Sequence, residues 1–526
     1  MQTSSIKDRF KSLKSLFSAQ SLTKKASLNA AASALDYFAA LVVGLLTTPL
    51  IVTGLGDYYY GVWQVMNRMY SYLSTMGGTT SPLEWTIAKD QTSEDFDQKR
   101  EFVGSAVIIW VILLPLILIG GLIITWFAPT WLHTPAPNFH IVRTVALLFM
   151  VSQGIISLAF LPASILRGQN QGYRRLGLSL ILAVANGLLI WLAIKIGTGI
   201  IGLSVVSILY LILYAAFYII MCRKYIPWFG IKKPSSELIK QFLKLSVWFF
   251  VNDIVTNITI ASDVIILGLL GSVESVTTYT LTKYVPETLI SLISILVLGI
   301  IPGLGGIIGS GDLKRASQLR GEIFSLTWLI VTVTSACILL WNQTFISLWV
   351  GSNRFGGSLA NVLIVIVVVQ YVVLRVDNSI IDLTLKIEKK VILGAVSALI
   401  SIAIACVLVG VYKMGIIGIC IGLILGRTIL TFAYPIISSH YLKISFFDQL
   451  KSAIRPVLTM FGLFGLSVLI VYFVKPLQVT GIKGWLILIA GAAISMVVFL
   501  ISSFYLGLNL KQRNSLKGRV HSLISR

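Results

Sequence analysis

The sequence predicts an all-α, polytopic membrane protein of about 14 transmembrane helices, built as two pseudo-symmetric six-helix bundles plus two extra C-terminal helices. Three observations predict it. The 526 residues are 56% hydrophobic and only 12% charged, with a mean hydropathy of +0.89, whereas soluble chains carry about a quarter charged residues. Fourteen runs are apolar over the roughly 20 residues that a bilayer requires. A shift of about 219 residues lays polar features of the first half over those of the second. This composition excludes a soluble enzyme, a disordered tail protein and a secreted disulfide scaffold. Nucleic acid is not an expected partner, because a basic nucleic-acid binder carries its charge on a far more charged soluble domain.

Residues 1–27 hold six Lys or Arg and no apolar core of a cleavable signal. Phe10, Leu13, Leu16 and Phe17 alternate with the lysines at helical spacing, so this segment reads either as a basic amphipathic helix on an anionic leaflet or as a solvated tail. The first lobe, 28–222, comprises spans 28–54, 58–88, 102–127, 141–165, 176–197 and 199–222. The second of these contains Asn67, Arg68 and a Met-Gly-Gly-Thr-Thr-Ser-Pro stretch at 76–82, so it is not a lipid-facing helix all round. A basic linker, 223–244, follows. The second lobe, 245–437, comprises 245–270, 277–305, 321–347, 358–382, 391–412 and 414–437. Spans 456–474 and 484–506 lie in the segment 438–506, and a basic tail, 507–526, closes the chain.

The charge excess of +22 fits this layout. Of 42 Lys and Arg, 32 fall in the two tails and in the loops after even-numbered spans. Basic residues concentrate on the cytoplasmic side, so both termini are expected in the cytoplasm. Tyr60 matches Tyr279, Pro82 matches Pro302 within one residue, Asp36 matches Asp253 within two, and Arg68 matches Glu287. Two parallel repeats of this kind place a substrate cavity between the halves. Gly418, Gly422 and Gly426 form a small-residue stripe that permits close helix contact, expected within its own bundle. The glycines at 303–311 lack the lysine of a phosphate-binding loop and read as a bend or close approach. Four cysteines lie in or beside apolar runs, and neither they nor the four histidines have metal-ligand spacing, so no cofactor or metal is expected.

The stretch Leu55-Gly56-Asp57-Tyr58-Tyr59-Tyr60-Gly61-Val62-Trp63 resembles a signature of Wzx-type polysaccharide flippases, in the multidrug/oligosaccharidyl-lipid/polysaccharide exporter superfamily. Ser262 to Gly268 with Tyr279 is similar to the family's second-half counterpart, and Leu166 to Tyr173 resembles its loop after the fourth span. The resemblance implies a transporter, not an enzyme. It would move an undecaprenyl-diphosphate-type lipid-linked oligosaccharide across the inner (plasma) membrane by alternating access, coupled to H+ or Na+ and working with other glycan-assembly proteins. A cation-coupled multidrug exporter of the same superfamily is the second reading, kept open by Asp36 early in the first span. A membrane-embedded transferase is a third, and it lacks a candidate catalytic loop.

Ionisable residues within spans face a cavity or one another. Arg68, Lys283, Arg375 and Arg427 are the expected phosphate ligands, since guanidinium forks bind phosphate bidentately. Asp36, Asp253, Asp263, Glu287 and Asp377 are expected to pair with these bases or to take up the coupling ion. Asn252, Asn257 and Gln153 are candidates for sugar hydroxyls. Structural pairing of Arg375 with Asp377 or Asp382 is an alternative, and Lys283, six residues into its span, is within snorkelling reach of the interface. Five acids against four bases is a balance at odds with an anionic substrate.

Overall fold

The computed structural model describes residues 22–76, 78–91, 93–175, 177–309, 311–383, 388–474 and 480–524. The expected N-terminal amphipathic segment falls mostly at 1–21, outside the described residues. The protein is 90% helical and has no strands among the described residues. Its helices are α1 (Leu22–Met76), α2 (Thr80–Lys89), α3 (Phe96–Trp131), α4 (Phe139–Gly168), α5 (Leu178–Ile196), α6 (Gly199–Tyr225), α7 (Ser236–Leu270), α8 (Val273–Gly309), α9 (Leu313–Trp349), α10 (Ser358–Leu383), α11 (Glu388–Cys406), α12 (Gly415–Leu442), α13 (Phe446–Val474), α14 (Gly481–Ser502) and α15 (Leu510–Ile524).

Twelve helical segments of the described residues are long and apolar enough to cross a membrane. The first, Ala31–Thr75, is 45 residues long, about twice the length a bilayer needs. It breaks at Gly56, whose φ of 76° and ψ of 167° are non-helical, so α1 carries the first expected span and the first part of the second. The 37-residue α8 lies at the eighth expected span. It runs helically through Gly303 to Gly309 and stops before Gly311 (φ 80°), so the glycine-rich stretch ends the helix and does not interrupt it. The segment at 76–82 does interrupt: α1 ends at Met76 and the short α2 starts at Thr80.

Contacts divide the chain into two units. The first comprises residues up to Gly54, Tyr70–Pro129 and Ala136–Val251. Its core includes Leu83, Ile87, Phe102, Ile109, Leu166, Tyr218 and Trp228. Arg167 on α4 pairs with Glu84 on α2 (2.7 Å). The loop after α4 is pinned to the start of α1, where the Asn29 side chain bonds to Asn170 and accepts from the Tyr173 amide. The second unit comprises Leu55–Met69, Thr130–Pro135 and Asn252 to the C terminus. Its boundaries thus differ from the expected lobes by assigning the start of the second span to the later half. Here α9 is central, with two thirds of its most apolar window buried. α8, α10, α13 and α14 all pack on it, around a core that includes Ile293, Val331, Val368, Val372, Phe464 and Phe499. Leucines and isoleucines such as Leu188, Ile196, Leu458 and Ile482 stay exposed, as the faces of helices solvated by lipid do.

Candidate functional site

The break at Gly56 re-aims the chain so that Tyr60, Gln64 and Arg68 follow at helical spacing on the second part of α1. Several contacts within the second unit hold this turn. Asp57 accepts from Arg354 Nε (2.6 Å), and its carbonyl accepts from Thr277 Oγ1 (2.5 Å). Gly61 lies against α8 so closely that a Cβ there would sit 2.1 Å from the Val273 carbonyl oxygen. The signature stretch is therefore a joint that seats the second part of α1 on α8.

On α8, Tyr279, Lys283 and Glu287 recur every four residues and share one face. Asp263 on α7 meets the first two: its Oδ2 accepts from Tyr279 Oη (2.6 Å) and Lys283 Nζ (2.7 Å). Lys283 Nζ also lies 3.6 Å from Glu287 Oε1, and Arg68 Nη2 lies 3.6 Å from the same oxygen. The result is an alternating ladder, Asp263–Lys283–Glu287–Arg68. Its side chains are 4% and 7% exposed at the Asp263–Lys283 end and 35% and 31% exposed at the Glu287–Arg68 end. One end is sealed and the other is reachable. Lys283 does not snorkel; burial with two carboxylates and the Tyr279 ring 5.3 Å away holds it inside. Arg427 on α12 reaches the same part of α7. Its Nη2 donates to the Thr259 carbonyl (2.6 Å), one turn before Asp263, and its guanidinium lies over the Tyr371 ring (5.5 Å). Its Nε is buried with no hydrogen-bond partner among the described residues. A buried amide pair steadies α8 behind the ladder: Asn342 Nδ2 donates to Asn361 Oδ1 (2.8 Å) and to the Thr282 carbonyl (2.9 Å).

The other candidates lie elsewhere. Asp36, in the first unit, pairs with Arg175 (2.7 Å). Asp377 is buried against Arg320, whose Nε and Nη2 both donate to it (2.7–3.0 Å). Asp382 takes Lys390. The alternative that paired Arg375 with Asp377 or Asp382 is thereby corrected: Arg375 is half-buried and makes no ion pair among the described residues. Asp253 and Asn257 are half-buried on α7, and the Asn252 side chain lies outside the described residues. Gln153 is half-buried on α4 of the first unit, and its Oε1 has no hydrogen-bond partner among the described residues.

Arg175 and Arg320 were counted among the inner loops in the sequence, yet each neutralises a candidate acid. Removing Asp36 and Asp377 from the tally leaves Asp253, Asp263 and Glu287 against Arg68, Lys283, Arg375 and Arg427, a balance of +1, with Asp263, Glu287, Arg68, Lys283 and Arg427 in the ladder region. No group of three or more His, Cys, Asp or Glu with metal-binding geometry occurs among the described residues.

The pattern of the family described as polysaccharide biosynthesis protein matches residues 27–307. No curated protein sequence matches the chain. Among solved structures, the chain is similar to the lipid II flippase MurJ in an inward closed conformation, with a TM-score of 0.66 and 14% identity over 90% of this chain and 98% of that one. It is similar to an inward-facing multidrug resistance MATE family transporter of the MOP superfamily, with a TM-score of 0.64 and 16% identity over 77% of this chain and 96% of that one. A MOP superfamily transporter from Pyrococcus furiosus, described as having a binding pocket of reverse polarity, matches with a TM-score of 0.51 and 15% identity over 80% and 94%. The fold is thus the one these transporters share, and the chain, whose family match covers more than half its length, belongs to the polysaccharide biosynthesis protein family as a multi-pass membrane protein.

Proposed function

We propose that this protein is a flippase that moves a polyprenyl-diphosphate-linked oligosaccharide from the cytoplasmic to the outer leaflet of the inner membrane by alternating access. The observation that carries the reading is the graded ladder ending at Arg68 and Glu287, each about a third exposed and 3.6 Å apart. A diphosphate offers Arg68 a bidentate partner better matched than one carboxylate oxygen at that distance. It would displace Glu287 from Arg68 and leave that carboxylate, still 3.6 Å from Lys283, as the group that ties substrate arrival to the coupling ion. Arg427, with its unpartnered Nε, and the unpaired Arg375 supply further positive charge. Asn257 and Gln153 would meet sugar hydroxyls. Other glycan-assembly proteins would deliver and consume the lipid-linked glycan.

The test is surface glycan in cells carrying Arg68→Ala and Arg375→Ala at normal protein levels. Loss of surface glycan with lipid-linked intermediate accumulating inside is expected, and full glycan production in both variants overturns the phosphate assignment. The fold similarity to multidrug transporters favours one other reading, a cation-coupled small-molecule exporter. The engagement of Asp36 by Arg175 at 2.7 Å weighs against it, since that carboxylate already holds a cation. A deletion strain that became dye-sensitive with intact surface glycan would support the exporter.

A further inference from the structure

The chain leaves α14 through a π-helical turn, Ser503–Gly507, and an extended Leu508, and then enters α15. Three cations gather on this exit. Arg455 on α13 donates from Nε to the Leu506 carbonyl (2.6 Å) and from Nη2 to the Tyr505 carbonyl (3.2 Å). Arg513 on α15 donates from Nε to the Leu508 carbonyl (3.0 Å), and its guanidinium lies 5.5 Å from the Tyr505 ring centre. Arg455 and Arg513 thus touch one residue, Tyr505, at its carbonyl and at its ring. Lys517, one turn further along α15, holds its Nζ 5.9 Å from the Phe504 ring centre.

None of the three forms an ion pair with a carboxylate among the described residues. Asp448 lies two turns before Arg455 on α13, about 10 Å along the axis, and Glu322 accepts from Ser515 on α15 (2.6 Å). Capping the last carbonyls of α14 accounts for where the two arginine Nε groups point. It does not account for the amount of charge. The C-terminus of a helix carries only about half a negative charge, against three cations here. Nor does it account for Lys517, whose ammonium meets a ring and not a carbonyl.

The surroundings have the character of a membrane interface. Tyr505, Leu506 and Leu510 are more than half exposed, as are Phe447 and Ile454 on α13. Leu458 and Phe461 continue that exposed apolar face along α13. Apolar side chains so placed are solvated by acyl chains, while the aromatic and basic groups beside them stand at the headgroup level. What that level offers a cation is lipid phosphate.

We propose that Arg455, Arg513 and Lys517 form a docking surface for anionic phospholipid headgroups, and that the negative charge of the leaflet holds α15 against the end of α14. The phosphodiester takes the guanidinium N–H groups that Arg455 and Arg513 do not give to carbonyls, together with the Lys517 ammonium. A zwitterionic lipid carries the same phosphate, but its own cation cancels the field, so the patch distinguishes lipids by net charge. This surface is separate from the ladder and does not depend on what the ladder carries.

The test uses the full chain in nanodiscs of phosphatidylcholine with or without phosphatidylglycerol, and reads amide hydrogen exchange at 503–524 by mass spectrometry. Phosphatidylglycerol should slow exchange there by at least about tenfold, the combined pull of an anionic surface on several basic side chains. About 0.5 M NaCl should erase most of the effect, because exposed charges are screened. The triple variant Arg455→Gln, Arg513→Gln, Lys517→Gln should lose it. Lys195→Gln, Lys413→Gln and Lys483→Gln together, at three exposed lysines away from this turn, are the charge-matched control and should keep it. If the triple variant fails to fold, Lys517→Gln, a change at an exposed side chain, should still lower the protection a few-fold. Inorganic phosphate added to phosphatidylcholine discs should give no protection; protection by it overturns the lipid assignment. Equal exchange in the two lipids, protection that survives high salt or the folded variants, or an equal loss in the control overturns the proposal and leaves the arginines as caps of α14.

Discussion

At the residue scale, the signature stretch shows how a motif can be mechanical. Gly61 is required because the Val273 carbonyl oxygen occupies the space of a side chain. Gly61→Val should therefore abolish folded protein, seen as loss of the monodisperse peak in detergent size-exclusion. Gly56→Ala should cost about 1–3 kcal/mol, because its φ of 76° with ψ of 167° is a backbone region that only glycine adopts without strain. A lower melting temperature checks this. The Arg320–Asp377 pair gives a sharper test. Both side chains are more than nine-tenths buried, and removing one partner strands a charge at a cost of about 3–5 kcal/mol. Arg320→Leu and Asp377→Leu should each melt far below the wild type, while the double variant should recover most of the loss. A double variant no better than the singles would show that the pair does more than neutralise itself. Asp377 was legible in the sequence as an intramembrane acid; its partner was not, because Arg320 stands in an apparent inner loop and only the depth of α9 brings it to α10.

At the scale of elements, the glycine stripe on α12 does what its spacing implies, and in its own unit. It docks on α11: a Cβ at Gly422 would lie 2.7 Å from the Ala405 nitrogen, and one at Gly426 would lie 2.5 Å from the Ser401 nitrogen. Ser397 Oγ donates to the Gly426 carbonyl across the same seam (2.9 Å). Such packing, not hydrophobicity, joins helices in lipid. Gly426→Leu should force α11 and α12 apart and lower stability by more than the roughly 1–3 kcal/mol of ordinary overpacking, since backbone is what it meets. Gly462→Leu on α13, where nothing lies within 4 Å of an added Cβ, is the matched control and should be neutral in the same melting assay. The basic tail is the element the sequence concealed. Its 510–524 segment is a helix, tied to α9 by the Ser515–Glu322 bond, and its polarity gave no hydrophobic signal to mark it.

At the scale of the whole molecule, the placement of basic residues predicts a single orientation. Reporter fusions at 226–235 should read cytoplasmic and fusions at 352–356 should read external; the reverse result would invert the assignment. The all-α class and the run of long apolar helices were written in composition and periodicity, because lipid forces every spanning backbone to satisfy its own hydrogen bonds. The intramembrane charges were also visible, since each is costly enough in hydrocarbon to stand out. Their partners were not. Arg68 and Glu287 matched as repeat equivalents and turn out to face each other, while Asp36 and Asp377 are satisfied by arginines that sequence assigned to loops. Sequence alone determined that this chain lives in a membrane and which of its charges must be explained. Tertiary structure alone decided which of them cancel, because a charge pair depends on the few ångströms between helices far apart in the chain.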